Sequence, residues 1–407
     1  MKKHFEPIRG WMNDPNGTIV INDTYHLFYQ YFPNDIKWGP MHWGHAVSKD
    51  GMNWEHKKIA LYPDKLGYIF SGSCVLDTEN VSGLGDGTSA PLLAIFTGHN
   101  PLTEEQQQCF AYSLDYENFT PYEGNPIIPN RKNQPGYKKD FRDPKVFINP
   151  ILGGFSMALA VGATIEFYHS INLIDWEKTG SFDIGSVGLK GICECPDCFF
   201  IQNEKNKKWV LSFSLCGNET PNIMPYFFGE FDGRCFVPDS FDEVLLLDYS
   251  LDNYASVTFS GTSDCQMIGW GECWSYAQNT PASDKRGKMT CIKKGSLKEI
   301  NGALRLSFSP LSAYKPVAYS VSVGDTLSLP TKNGGSLSIT VSEDTITVDR
   351  TKAVTTNFHD CFSNSAYSVF SAKRTHGGTC DLLIVEDNGF FEIFADYGSV
   401  LFSVNTY

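Results

Sequence analysis

Apolar positions in this chain come in short runs, not at helical spacing. His26-Leu27-Phe28-Tyr29-Gln30-Tyr31-Phe32, Leu92-Leu93-Ala94-Ile95-Phe96, Lys208-Trp209-Val210-Leu211-Ser212-Phe213 and Ala255-Ser256-Val257-Thr258-Phe259 are rich in aromatic and β-branched residues. Gly, Pro, Asn and Asp break them up. Runs of this kind bounded by turn formers predict strands, and the chain reads as all-β.

A weak internal repeat sharpens that reading. Ser48-Lys49-Asp50-Gly51-Met52-Asn53-Trp54 shares a frame with Ser113-Leu114-Asp115-Tyr116-Glu117-Asn118-Phe119 and Ser170-Ile171-Asn172-Leu173-Ile174-Asp175-Trp176. The frame is Ser, then Asp or Asn two on, then Trp or Phe six on. A degenerate copy lies at Glu230-Phe231-Asp232-Gly233-Arg234-Cys235-Phe236. Each copy follows a strand-like run and reads as strand, turn, strand. A period of about 60 residues over roughly 300 predicts a five-bladed β-propeller of four-stranded blades.

Past residue 300 the alternation is cleaner, as in Ser336-Leu337-Ser338-Ile339-Thr340-Val341 and Phe390-Phe391-Glu392-Ile393-Phe394. Turns such as Asp387-Asn388-Gly389 separate the runs, which predicts a C-terminal β-sandwich. The expected division is a propeller over 1–295, a linker over 296–305 and a sandwich over 306–407. No catalytic constellation stands out in the last part.

Composition narrows the partners. The net charge of −13 argues against nucleic acid and anionic membranes, and no run approaches a membrane span. Aromatic residues make up 14% of the chain and can serve as platforms for sugar rings. The segment Met1–Pro7 has charge but no apolar run, so no signal peptide is expected there. Twelve cysteines without an export signal then predict reduced thiols in a cytoplasm. Cys193, Cys195 and Cys198 include a C-x-x-C, but no second pair accompanies it, so small buried strand residues are expected rather than a metal or redox site. His42 and His45 fall in a strand-like run, and no metal site is expected there.

Three stretches join a carboxylate to a following proline: Asn13-Asp14-Pro15, Arg142-Asp143-Pro144 and Glu194-Cys195-Pro196. Proline suits the first residue of a strand, so each carboxylate is expected just before one, in a different blade. Equivalent strand starts converge on a propeller axis, so the three would share a funnel. Sugar cleavage needs such a cluster, with one carboxylate to attack and a second, kept protonated by its neighbours, to expel the leaving group. No cofactor is required.

These stretches also resemble a known family. Trp11-Met12-Asn13-Asp14-Pro15-Asn16-Gly17, Phe70-Ser71-Gly72-Ser73, Phe141-Arg142-Asp143-Pro144 and Glu194-Cys195-Pro196 are similar to signature blocks of glycoside hydrolase family 32, the invertases, sucrose-6-phosphate hydrolases, inulinases and levanases. The resemblance implies that Asp14 is the nucleophile, Glu194 the general acid and base, and Asp143 a transition-state stabiliser. It implies further that Asn13, Gln30, Trp38, Phe70, Ser71 and Trp270 line a fructose pocket, and Arg142 stands beside the carboxylates. One departure bears on the leaving group: Gly269-Trp270-Gly271-Glu272-Cys273-Trp274 puts Glu272 near the expected rim; Lys37, Arg131 and Lys190 are the candidates for a phosphate contact. The expectation is a retaining β-fructofuranosidase acting on a small carbohydrate, sucrose or its 6-phosphate, as a monomer or homodimer. An exo-fructanase on inulin or levan, a fructosyltransferase and an inactive sugar-binding propeller are the rivals.

Overall fold

The computed structural model describes residues 2–217, 222–353 and 358–407. Strands dominate, and among the described residues they form seven sheets, antiparallel except for one short parallel strand. Five sheets succeed one another between Gly10 and Pro310, and two follow.

Each of the five opens on an inner strand: Gly10–Ile21, Tyr68–Leu76, Phe141–Ile148, Ile192–Gln202 and Tyr254–Thr258. Every inner strand lies against the next, and the fifth lies against the first, so the five surround a common axis. Polar side chains bridge neighbours below the axis mouth. Ser73 donates to the Pro144 carbonyl at 2.8 Å, Thr18 to the Thr258 carbonyl at 2.8 Å, and Lys145 pairs with Asp197 at 3.2 Å. The short strand Lys285–Arg286 closes the ring by pairing in parallel with Gly10–Trp11.

The sequence repeat has a physical counterpart. Ser48, Ser113 and Ser170 each donate to the side chain two residues on, at 3.0, 3.0 and 3.2 Å. Asp50, Asp115 and Asn172 then accept two backbone N–H bonds from the turn that follows. All three join the third strand of a sheet to its fourth. Asp232 does the same in the fourth sheet, accepting from Arg234 and Cys235. A short side-chain acceptor closes these turns by taking N–H groups that no strand partner reaches.

Two expectations change. Residues 296–305, expected as a linker, belong to a hairpin of the fifth sheet, Lys293–Ile300 against Ala303–Pro310. Its Asn301-Gly302 turn has φ of +51° and +78°, the conformation a tight hairpin demands, and Leu297, Leu306 and Phe308 are buried. The prolines next to the three carboxylates sit inside strands, not at their starts. They occupy points where the ladder is interrupted, so the missing N–H costs no pairing.

The last two sheets pack alternate residues into one core, with Leu337, Ile339 and Val348 against Leu382, Ile393 and Phe402. The N-terminal segment is tied to them by His4, whose imidazole meets the Glu392 carboxylate at 2.8 Å.

Candidate active site

All five inner strands lose register with their neighbour at the same level. The breaks fall between Met12 and Pro15, Ile69 and Gly72, Glu194 and Asp197, and Tyr254 and Val257. In the third sheet Lys145 faces Ala158 while Arg142 faces Ala160, so Asp143 and Pro144 share one partner. A bulge re-aims the side chains it carries. Asp143, Cys195 and Ala255 take φ of +63°, +44° and +53°, each at a cost of about 1–3 kcal/mol for a residue with a Cβ. The backbone is thus bent to point Asp14, Ser71, Asp143 and Glu194 into one cavity of about 310 Å³.

Asp14 is held on one side only. Its Oδ2 accepts from the Ser71 hydroxyl at 2.6 Å and lies 3.7 Å from the Cys195 thiol. Its buried Oδ1 accepts no hydrogen bond among the described residues. Asn13 is oriented by the indole N–H of Trp11 at 2.7 Å. Asp143 Oδ2 accepts the Cys195 backbone N–H at 3.0 Å, and the Asp143 N–H donates to Thr97 at 3.0 Å. Glu194 takes two strong donors: Arg142 at 3.0 Å on Oε1 and the Tyr254 hydroxyl at 2.5 Å on Oε2. Gln30 donates to Asn16 and to the Ile69 carbonyl, locking the first two inner strands together.

Charge is unevenly balanced here. Arg142 is the cationic side chain of the cavity lining among the described residues, and it is shared by Asp140 at 2.8 Å, Glu194 and, at 4.0 Å, Asp143. Burial opposes its charge, but Glu194 and Asp143 outweigh that and hold the guanidinium firmly protonated. Burial lifts the Asp14 carboxyl above its ordinary value, against the Ser71 hydrogen bond, with the Glu194 charge adding to the rise. Burial, opposed by Arg142 and reinforced by Glu194 and Asp14, pushes Asp143 up to about 7. Crowded carboxylates in a low-dielectric site cannot all ionise freely.

The walls are aromatic. Trp38 and Phe70 line the cavity, with ring centroids 6.0 Å apart. Trp270, expected beside them, does not: it is fully buried behind the wall, its centroid 5.9 Å from Trp11. Trp274, four residues on, lines the cavity instead and stacks on Trp11 at 5.8 Å. Trp270 ends a strand and faces the core, whereas Trp274 leads the following loop to the mouth. Glu272, expected at the rim, is buried against the Tyr407 hydroxyl, with Lys288 4.0 Å away; burial pushes its carboxyl up to about 7. Lys37, Arg131 and Lys190 do not line the cavity.

Four lining or contacting residues escaped the sequence reading. Asp140 stands two residues from Arg142, so its neighbourhood was visible. Trp274 lay in a block already singled out. Gln106, which accepts from the Phe141 N–H at 2.9 Å, and Tyr254 had no local signal, because strand pairing alone brings them in.

Comparison with known proteins supplies the rest. The Glycosyl hydrolases family 32 N-terminal domain matches residues 4–307. A levanase of Bacillus subtilis is 43% identical over 332 residues, which cover 77% of this chain and 47% of that protein. The chain therefore spans about half the levanase's length. An extracellular exo-inulinase of Aspergillus awamori is 33% identical over 383 residues, 85% of this chain and 71% of the inulinase. The crystal structure of exo-inulinase from Aspergillus awamori superposes with a TM-score of 0.88 at 29% identity, covering 100% of this chain and 92% of that one. A family match over most of its length, laid over a pocket where the three carboxylate–proline stretches meet, places the chain in glycosyl hydrolases family 32.

Proposed function

We propose that the protein is a retaining β-fructofuranosidase that removes terminal β-fructofuranosyl units from sucrose and short fructans, with leaving groups that carry no phosphate. The observation that carries this reading is the one-sided anchoring of Asp14, with Oδ2 held by Ser71 and Oδ1 left without a donor. In this reading Oδ1 attacks the anomeric carbon as the bond to the leaving oxygen breaks, and Glu194 gives that oxygen a proton. Glu194 then takes a proton from water, whose oxygen attacks the same carbon and frees Asp14. Asp143, neutral or ionised near its raised value of about 7, hydrogen-bonds the fructose hydroxyls.

The five bulged sheets are read as the blades of a propeller and the last two as a sandwich, the architecture the family resemblance implies. Against a 6-phosphate speaks the electrostatics of the lining. Arg142 is already committed to carboxylates, and a phosphate would want a free cation. The names of the levanase and the exo-inulinase favour fructan ends as leaving partners. The cysteines are unpaired, which fits a reducing, cytoplasmic compartment.

The test is to denature the enzyme during turnover of sucrose or a levan oligosaccharide and map the adduct by mass spectrometry. A hexosyl group on the Asp14 peptide is expected, and none in Asp14→Asn. An adduct on another carboxylate would sink the nucleophile assignment.

A further inference from the structure

Trp38 and Trp274 face the cavity from two separate loops, and neither loop is part of a sheet. A single buried guanidinium bridges them. Arg286 Nη1 donates to the Ile36 carbonyl at 2.9 Å and to the Gln278 carbonyl at 2.6 Å, and Nη2 donates to the Thr280 carbonyl at 2.6 Å. Ile36 lies two residues before Trp38. Gln278 lies four residues after Trp274, across a turn in which the Ala277 N–H donates to the Cys273 carbonyl at 2.8 Å. Arg286 is 9% exposed and touches none of the reacting carboxylates.

The other end of the Trp274 loop is held from the last strand of the chain. Asn405 donates to the Gly271 carbonyl at 2.9 Å, and Lys288 donates to Asn405 at 2.8 Å. The Trp274 segment is therefore pinned on both flanks, while the Trp38 segment packs its ring against Phe70 and is tied to the Trp274 side through Arg286.

Resting on the fructosidase reading above, we infer that Arg286 is a positioning residue for leaving-group selectivity: by bridging the Trp38 and Trp274 loops it sets the width of the pocket mouth. Nη1 alone reaches both loops, and Nη2 adds a bond on the Trp274 side, so the rigid planar fork fixes three carbonyls in one plane. A lysine offers one compact ammonium on a flexible stem and loses that fixed geometry. The clamp is made by the Arg286 side chain alone; the Arg286 backbone pairs with Trp11 whatever the side chain, so a side-chain variant keeps the floor's seal. Loosening the mouth should weaken binding of the units beyond the scissile bond while leaving bond cleavage itself nearly intact, which is a KM effect rather than a kcat effect.

The experiment compares wild type, Arg286→Lys and Arg286→Ala on sucrose and on a levan oligosaccharide, with thermal unfolding and tryptophan emission recorded alongside. Arg286→Lys guards against a fold defect in the alanine variant. The expected result for the lysine variant is a KM for the oligosaccharide raised ~10-fold, kcat within ~2-fold of wild type and a smaller KM change on sucrose. A red shift in tryptophan emission should accompany it, reporting looser indoles. A lysine variant with unchanged KM on both substrates, or with kcat reduced equally on both, would overturn the inference. A wild type that releases no fructose from either substrate would instead overturn the underlying reading of the activity.

Discussion

The floor and the mouth of the cavity are built by opposite means. The floor puts Asp14, Ser71, Asp143 and Glu194 on strands, each at a register break, with positive φ imposed on Asp143 and Cys195. Backbone on either side of each break is tied into a sheet, so the carboxylates have little freedom. The mouth puts Trp38 and Trp274 on loops joined by side-chain bonds. Chemistry that tolerates little misplacement is carried by the ladder, and recognition that can vary is carried by loops.

That contrast can be broken most severely at the floor. Asp14→Asn keeps the Ser71 contact and removes the nucleophile, so kcat should fall by on the order of 10⁴-fold or more with Tm preserved. Steady-state rates on sucrose decide it, and a variant retaining a tenth of wild-type kcat ends the assignment. Next comes Tyr254→Phe, which deletes one charge-assisted hydrogen bond to Glu194. A loss of ~10- to 100-fold in kcat/KM is expected, carried by kcat.

The two tryptophans separate structure from recognition. Trp270→Ala empties a fully buried site and should lower stability by about 3–5 kcal/mol, read as a fall in denaturant midpoint. Trp274→Ala should leave that midpoint nearly unchanged and raise KM. The reverse pattern would mean that the wall has been assigned to the wrong indole.

The smallest effect concerns pH. Asp143 holds its proton up to about 7 in the native chain, against an ordinary 3.8. The native state thus binds a proton that the unfolded state has released. The stabilising contribution is complete below pH 3.8 and is lost as pH rises through about 7. Asp143→Asn removes that loss, so the variant's Tm advantage over wild type should grow between pH 5 and pH 8, by roughly 2–4 °C. An advantage that shrinks over that interval would show that Arg142 outweighs burial at this carboxyl.

The floor was legible in the sequence because its residues travel in compact groups. A carboxylate beside a proline three times over is a visible pattern, and its chemistry follows from residue type. The turns at Asp50, Asp115 and Asn172 were legible for the same reason, since donor and acceptor lie two residues apart. The bulges were not, and prolines that suggested strand starts mark interruptions within strands. The mouth was barely legible. Whether Trp270 or Trp274 faces the cavity depends on where a strand ends, and no feature of the block Trp270–Trp274 says so. Tyr254 acts on Glu194 and Arg286 reaches back to Ile36, partners distant in sequence that only the closed ring brings near. The hairpin at Asn301-Gly302 reads as a linker in the sequence because Lys294, Lys298, Glu299 and Ser309 are exposed, while Leu297 and Phe308 face inward.

The parallel pairing of Lys285–Arg286 with Gly10–Trp11 also dictates a timetable. Asp14 leaves the ribosome before its neighbours Asp143 and Glu194, and the strand Lys285–Arg286 emerges later still. A nascent chain stopped before residue 285 carries all three carboxylates but lacks the strand that pairs with Gly10–Trp11. Until then the Gly10–Trp11 edge lies open, and a chaperone has reason to cover it.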